Sequence, residues 1–161
     1  MMDSIQYRPV GIVRSPFKTA KGTPVQSIAA KDVDGFIEVH PEYWQGLTDL
    51  EDFSHLILIY HLHLIKETSL LVKPFLGDEL HGIFATRSPN RPNPIGFSVV
   101  RLIKTEDGIL HIRDVDIVDG TPLLDIKPYV SKFDVREQVK NGWFEDNMHK
   151  LSTTKDDGRF V

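Results

Sequence analysis

The sequence predicts a mainly β fold, an antiparallel barrel or sandwich formed by one domain. About six or seven runs rich in β-forming residues follow each other closely, with turn signals between them and little helical pattern. Strands do not alternate with helices, and no glycine-rich dinucleotide-binding fingerprint is present. A nucleotide-like cofactor would therefore need a binding site of a different kind. A chain of 161 residues is long enough to bury one core without cross-links.

In the first half of the chain, these runs predict strands over residues 7–13, 34–40 and 55–64. The third run, "HLILIYHLHL", is continuously apolar and rich in β-formers, which is typical of a buried strand. Residues 14–32 form a long loop punctuated by proline and glycine, and a loop of that length inside a compact domain is usually functional or disordered. Residues 41–53 indicate a helical turn interrupted at Gly46.

The second half begins with a short strand inside residues 77–88. The clearest structural signal in the chain follows, a hairpin over residues 97–118 that turns at Asp107 and Gly108. This pair is favoured in hairpin turns because both residues tolerate positive φ. A further strand is predicted over residues 123–127.

Only the C-terminal part of the chain has a helical pattern. Val135 and Val139 lie one turn apart and predict a helix over residues 134–140, and a second short helix is expected after an Asn-Gly stop signal. We place the domain at residues 1–150. Residues 151–161 form a tail that we expect to be frayed or docked on a partner chain.

Composition and charge exclude several classes of function. The chain has no cysteine, which excludes disulfides, thiolate metal sites and cysteine nucleophiles. With a net charge of −4, the chain lacks the overall positive charge of a general nucleic-acid binder. No apolar signal region precedes the domain, and the longest apolar run is too short to span a bilayer. We therefore expect a cytoplasmic protein with no membrane association.

Residues 87–96 form a segment that we call the proline-rich frame. Three prolines in it set φ and remove backbone donors. Its side-chain donors are Arg87, Asn90, Arg91 and Asn93. Little conformational entropy would remain to be lost when such a segment holds a ligand. Two interpretations stay open at this point: a rigid crossover loop, or a preorganised polar pocket.

The sequence "DGTPLLDIK" from Asp119 onward raises the same choice. As a tetrapeptide, Asp-Gly-Thr-Pro is an ordinary turn. In the strand after it, Leu123, Asp125 and Lys127 share one face. Asp125 and Lys127 are interpreted either as a surface ion pair of little energetic value or as part of a site.

Three histidines are candidate metal ligands. His61 and His63 lie two apart in a predicted strand and point to one side, and His55 comes six residues earlier. Three such ligands could bind zinc. The run is predicted to be buried and has no acidic residue on that face, so packed core histidines are favoured and we predict no metal.

Four segments together resemble the TsaA-like family, also called the tRNA methyltransferase O (TrmO) family. They are "GIVRSPFKTAKGTPVQ", "GFIEVHPEYWQGLTDLEDFSHLILIYHLH", "FATRSPNRPNPIGFSVVRL" and "DIVDGTPLLDIKPY". The resemblance covers residues 7–130 in the expected order. It implies a single-domain antiparallel β-barrel with short peripheral and C-terminal helices, which binds S-adenosylmethionine at the interface of a homodimer. It also implies methylation of N6 of threonylcarbamoyl-adenosine at tRNA position 37.

Position by position, the resemblance implies which residues contact S-adenosylmethionine. They are Pro24, Val25, Gln26, His61, Leu62, Arg87, Phe97, Gly120, Thr121, Pro122 and Leu123. Val25 stands where the family pattern has arginine. On this hypothesis Arg87 pairs with the cofactor carboxylate or an adjacent phosphate, and the backbone of residues 120–123 contacts the adenine.

The sequence does not assign a catalytic residue. The candidates are Asn90, Asn93, Asp119 and Asp125, of which an aspartate would accept a hydrogen bond from the attacking N–H. Substrate contacts are predicted for Arg91, Lys127 and Tyr129. The alternative functions are a non-catalytic dimeric barrel that binds S-adenosylmethionine or another nucleotide, and a zinc-dependent hydrolase built on the three histidines.

Overall fold

An antiparallel β-barrel organises the structure, a computed structural model that describes residues 3–161. The strands are β1 (Gly11–Arg14), β2 (Asp34–Val39), β3 (His55–His61), β4 (Leu71–Val72), β5 (His81–Gly82), β6 (Ile95–Glu106), β7 (Ile109–Arg113) and β8 (Thr121–Pro128). Six of them close into the barrel in the order β1-β2-β7-β6-β3-β8, and β4 pairs with β5 in a separate sheet. The predicted mainly β barrel is therefore confirmed.

The inward-pointing side chains of the barrel strands form the core. Along β3, Leu56 and Leu58 are completely buried, whereas Ile57 and Ile59 between them keep some exposure. Burying a leucine fully stabilises the fold by about 1.5–3 kcal/mol relative to leaving it exposed. The continuous apolar run therefore contributes one face to the barrel interior and a second, half-covered face to the outside.

β3 is shorter than predicted and ends at His61, opposite Ile95, the first residue of β6. Beyond this pair the Leu62 amide donates to the Pro94 carbonyl at 2.8 Å, and the chain turns away. Proline has no amide donor, so the ladder between the two strands cannot continue into the proline-rich frame. His63 consequently lies outside the strand.

The hairpin between β6 and β7 turns at the predicted pair. Asp107 has a φ of 50° and Gly108 a φ of 76°. The Trp44 indole packs on Gly108 so closely that a Cβ atom there would overlap it. The indole Nε1 also donates to the Val39 carbonyl at 2.8 Å, which holds Trp44 against the end of β2.

Helices are short and peripheral in the described part of the chain. One α-helical turn, α1, covers Ser131–Asp134. The 3-10 helices cover Ser27–Ala30, Pro41–Leu47, Leu50–Asp52, Ile83–Ala85 and Gly142–Lys150. Among residues 3–161 no helix has the length and hydropathy needed to cross a bilayer.

The helix predicted over residues 134–140 is wrong. α1 ends at Asp134, and Val135 and Val139 are both more than half exposed. Two valines one turn apart do not form an apolar stripe, and valine loses side-chain freedom in a helix. The second short helix is present as the 3-10 helix Gly142–Lys150.

The C-terminal tail packs on its own chain. The Asp156 amide donates to the Thr23 carbonyl at 2.9 Å, and the Gly22 amide donates to the Asp156 carbonyl at 2.7 Å. The Phe160 ring meets the Phe75 ring edge-on at 5.0 Å. The expectation of a frayed or partner-bound tail therefore differs from the structure, because residues 14–32 offer this segment backbone groups to pair with.

Candidate functional site

A pocket of about 370 Å³ lies where β3 ends and β6 begins. Its walls come from the loop of residues 14–32, the turn after β3, the proline-rich frame, the segment before β8 and the C-terminal residues. Pockets of this size hold small-molecule ligands and cofactors. The early break in the β3–β6 ladder opens this end of the barrel.

Seven of the eleven predicted cofactor contacts line this pocket. They are Pro24, Val25, Gln26, Leu62, Arg87, Phe97 and Thr121. The other four lie close by in sequence but outside the lining: His61, Gly120, Pro122 and Leu123. Leu123 is completely buried because its side chain points into the barrel core. Strand alternation, which resemblance alone does not resolve, explains why neighbours in one run point to different sides.

Arg87 connects two walls of the pocket. Its Nη1 donates to Gln26 Oε1 at 3.0 Å, and its guanidinium carbon lies 5.1 Å from the centre of the Phe97 ring. These contacts hold a cationic fork beside an aromatic face. The Arg87 side chain is exposed and can still receive an anionic group.

The other polar residues of the proline-rich frame maintain its shape. Arg91 Nη1 donates to one backbone carbonyl of the segment, that of Ser88, and to two just before it, those of Ile83 and Thr86, at 2.9–3.3 Å. Asn90 Nδ2 donates to the Glu67 carbonyl at 3.1 Å. The segment is thus a rigid crossover and a pocket wall at the same time.

None of the four catalytic candidates lines this pocket. Asn90 is buried behind the wall, and its Oδ1 has no hydrogen-bond partner among residues 3–161. Asn93 is exposed, and its carbonyl accepts from the Ile95 amide at 2.7 Å. Asp119 is tied to Lys18 at 2.9 Å and to the Ser15 amide at 3.1 Å. The hydrogen bond from Lys18 holds the pKa of Asp119 below its usual range.

Asp125, the fourth candidate, lines a different and smaller cavity of about 180 Å³ beside Tyr43 and Leu47. Its carboxylate pairs with Lys127 at 2.7 Å, and both side chains are well exposed. This pair therefore corresponds to a surface ion pair of small energetic value.

The predicted substrate residues fall into two groups. Arg91 lines the pocket. Lys127 lies opposite Ile57, and the Tyr129 amide donates to the His55 carbonyl at 3.0 Å, so both lie near the start of β3. The pocket is at the other end of that strand, roughly 20 Å away for six residues of extended chain.

A series of hydrogen-bonded side chains, which the sequence did not predict, runs from the barrel wall to the pocket. Tyr60 Oη lies 2.9 Å from Ser98 Oγ, and Ser98 Oγ donates to an Asp116 carboxylate oxygen at 2.6 Å. Both Tyr60 and Asp116 line the pocket. Burial raises the pKa of Asp116 from 3.8 to about 6, against the opposing effects of the Ser98 hydrogen bond and the Arg87 charge. Burial also raises the pKa of Tyr60, which stays protonated.

One wall of the pocket is aromatic, and the sequence did not predict it. Trp143 and Phe144 line the pocket, with stacked rings 3.9 Å apart. The other stacking partner of Trp143 is His81 at 4.5 Å, and its Nε1 donates to the Ala85 carbonyl at 2.7 Å. The apolar residues of the C-terminal helix were the available signal, but sequence cannot show that they fold back onto the pocket.

The histidine arrangement does not match a metal centre. His55 and His61 occupy opposite ends of β3, and only His63 lines the pocket. Among residues 3–161, no group of three or more histidine or acidic side chains is arranged to hold a metal ion. The three histidines named in the zinc hydrolase alternative are therefore not gathered at one place.

The chain is similar to one family of known proteins. The sequence model of the tRNA-methyltransferase O N-terminal domain matches residues 12–135. The chain is 62% identical over 156 residues to a probable S-adenosyl-L-methionine-binding protein of Pyrococcus abyssi, a match covering 97% of this chain and 85% of the relative. It is 35% identical over 158 residues to the human tRNA (adenine(37)-N6)-methyltransferase, covering 90% of this chain and 35% of the human protein.

A solved structure shares the fold. The crystal structure of TrmO from Pseudomonas aeruginosa matches with a TM-score of 0.74 and 36% identity, covering 88% of this chain and 63% of that one. The chain thus spans less than two thirds of the TrmO chain and about a third of the human relative.

Proposed function

We propose that this chain, which belongs to the tRNA-methyltransferase O N-terminal domain family, is an S-adenosylmethionine-dependent tRNA methyltransferase. The observation that carries the proposal is the convergence of five separate parts of the sequence on one pocket. Pro24 to Gln26, Leu62, Arg87, Phe97 and Thr121 all line it. These are residues for which the family resemblance implies cofactor contact.

The residues present fit S-adenosylmethionine. Arg87 offers a planar fork of donors to a carboxylate, in the geometry that favours bidentate pairing. Phe97 and Phe144 offer aromatic surface to an adenine ring, and both line the pocket. A volume of about 370 Å³ is in the range of cofactor sites.

When bound, S-adenosylmethionine supplies an electrophilic methyl group on a sulfonium. The chain then has to hold donor and acceptor in line at about 3 Å and to exclude water. The rigid proline-rich frame and the Arg87–Gln26 contact hold one side of the pocket, and the C-terminal residues cover another.

The acceptor that we propose is N6 of threonylcarbamoyl-adenosine at tRNA position 37. Support for a tRNA adenine comes from similarity to the human tRNA (adenine(37)-N6)-methyltransferase. The threonylcarbamoyl group is the finer part of this proposal and follows the family resemblance. Action on tRNA in the cytoplasm is likewise a proposal.

A homodimer is part of the same proposal. Four large apolar side chains on and beside the β4–β5 sheet are at least 61% exposed: Leu70, Leu71, Leu80 and Phe84. Exposed apolar surface of this kind marks interaction sites. Light scattering should give twice the mass of the chain, and a monomer with full cofactor affinity would contradict an interface site.

Two measurements test the proposed function. Calorimetric titration should detect binding of S-adenosylmethionine and S-adenosylhomocysteine. Radiolabelled methyl transfer should then occur to tRNA carrying threonylcarbamoyl-adenosine and not to the same tRNA with unmodified adenosine. Equal transfer to both tRNAs would contradict threonylcarbamoyl-adenosine as the specific acceptor. It would retain the proposal that the chain methylates a tRNA adenine.

The alternative function is a non-catalytic barrel that binds S-adenosylmethionine. The observation that favours it is the net charge of −4, which lacks the basic surface expected of a nucleic-acid binder. Ligand binding without transfer to any tRNA would support this alternative.

A further inference from the structure

Asp116 is a pocket carboxylate to which the family resemblance assigns no role. It lies just before β8 and lines the same pocket as Arg87 and Phe97. The nearby acids are engaged elsewhere: Asp114 accepts from the Arg101 guanidinium at 2.6 Å and 2.8 Å, and Asp119 is bound to Lys18. Asp116 is therefore the acid of this segment that faces ligand space.

Asp116 accepts the last hydrogen bond of a series that begins at Tyr60 and passes through Ser98. Ser98 Oγ donates to its carboxylate at 2.6 Å, so the Ser98 lone pairs face Tyr60, whose hydroxyl then donates to Ser98 at 2.9 Å. Tyr60 and Ser98 are buried, on paired strands β3 and β6. This chain of donors positions an acceptor oxygen on the rigid barrel wall.

Resting on the proposed function, we propose that Asp116 is the catalytic residue that accepts the proton from the attacking exocyclic amine of the target adenine. The nitrogen lone pair forms a bond to the methyl carbon while the carbon–sulfur bond breaks, and that electron pair returns to sulfur to leave a neutral thioether. The N–H electrons stay on nitrogen, and the proton moves to the Asp116 carboxylate. Solvent removes the proton after product release.

The other acid that lines the pocket is less suited to this role. Asp156 belongs to the C-terminal tail, and one of its carboxylate oxygens already accepts from the Gly158 amide at 2.6 Å. Asp116 also lines the same pocket as Arg87, the group proposed to anchor the cofactor. The titratable and charged side chains that line the pocket with Asp116 are Tyr60, His63, Arg87, Arg91 and Asp156.

The protonation behaviour of Asp116 agrees with this geometry. Burial raises its pKa to about 6, so the carboxylate is mostly ionised at neutral pH and is a stronger base than an ordinary aspartate. A base with a pKa close to the working pH transfers protons most effectively.

The first test is Asp116→Asn, with Glu106→Gln at the exposed β6–β7 hairpin as the matched control. Single-turnover methyl transfer should fall roughly 100-fold or more in Asp116→Asn, the loss expected for a general base. Cofactor affinity measured by calorimetry should stay within about threefold, and the control should match wild type in both. Loss of rate and of cofactor affinity together would identify a cofactor contact and overturn the proposal.

The second test follows the ionisation itself. Carboxyl-carbon NMR of the ligand-free chain, compared with Asp116→Asn, should identify one carboxyl that titrates near pH 6. The wild-type rate should fall about tenfold per pH unit below that value, and the residual Asp116→Asn rate should not. In Ser98→Ala the Asp116 carboxylate loses a hydrogen-bond donor, which raises its pKa. The midpoint of the NMR titration and the midpoint of the pH–rate profile should therefore both move to higher pH.

The outcomes separate the two proposals. An inactive wild-type chain on every tRNA tested would remove the proposed function and the role of Asp116 with it. An active wild type with an equally active Asp116→Asn, or a Ser98→Ala profile that does not move, would overturn the role of Asp116 alone.

Discussion

Arg87 Nη1 donates to Gln26 Oε1 at 3.0 Å, and this hydrogen bond joins two pocket walls that are 61 residues apart in sequence. One wall is the rigid proline-rich frame and the other is the long loop of residues 14–32. A guanidinium held in this way is preorganised, so little side-chain entropy remains to be lost when it meets an anion.

Arg87→Ala should weaken S-adenosylmethionine binding. Hydrogen bonds to charged groups contribute about 1.5–3 kcal/mol, which corresponds to roughly 10- to 100-fold in Kd. Lys104→Ala is the control, because Lys104 pairs with Glu106 on the exposed hairpin. Calorimetry measures both, and equal effects of the two substitutions would contradict this placement of the cofactor.

Gly96→Ala should destabilise the barrel end that carries the pocket. Gly96 lies opposite Tyr60 in the β3–β6 ladder, and a Cβ atom there would overlap the Tyr60 ring. Overpacking of this kind costs about 1–3 kcal/mol. Gly46→Ala meets open space and should change stability by at most about 0.5 kcal/mol. Chemical denaturation compares the two, and a native-like Gly96→Ala would show that Tyr60 can move freely.

Asp116→Asn should be more stable than wild type at pH 8, with the difference lost at pH 4. Burial raises the pKa of Asp116 from 3.8 to about 6, so its ionisation is harder in the folded protein than in the unfolded chain. The free energy of unfolding of the wild type therefore decreases as pH rises through this window, and the asparagine variant lacks that decrease. We expect a difference on the order of 1–2 kcal/mol at pH 8.

Urea titrations of both proteins across pH 4–8 measure this difference. A stability difference that does not change with pH would mean that Asp116 ionises in the folded protein as easily as in the unfolded chain.

Trp143→Ala should weaken cofactor binding by roughly tenfold and lower the melting temperature by a few degrees. The substitution removes a hydrogen bond of 2.7 Å to the Ala85 carbonyl and the stacking of the indole on His81 and on Phe144. Met148→Ala in the same 3-10 helix is the control, since Met148 is 48% exposed and does not line the pocket. Unchanged affinity in Trp143→Ala would show that the barrel alone forms the site.

Much of the fold could be predicted because its signals are local. The hairpin follows from two residues that tolerate positive φ, and the buried strand follows from a continuous apolar run. The helix predicted from Val135 and Val139 failed because two apolar residues require a surface to pack on, and the sequence does not say whether one exists.

The residues alone predict the strand pattern and the stiffness of the proline-rich frame, and the family resemblance adds seven of the residues that line the pocket. Which aspartate of residues 116–125 faces that pocket depends on the tertiary structure. Asp116, Asp119 and Asp125 lie within ten residues and look alike in sequence, but Asp119 meets Lys18, Asp125 meets Lys127, and Asp116 alone meets Ser98 at the pocket wall. The reason is that strand register and barrel closure set the direction of each side chain, and both depend on partners far away in the chain.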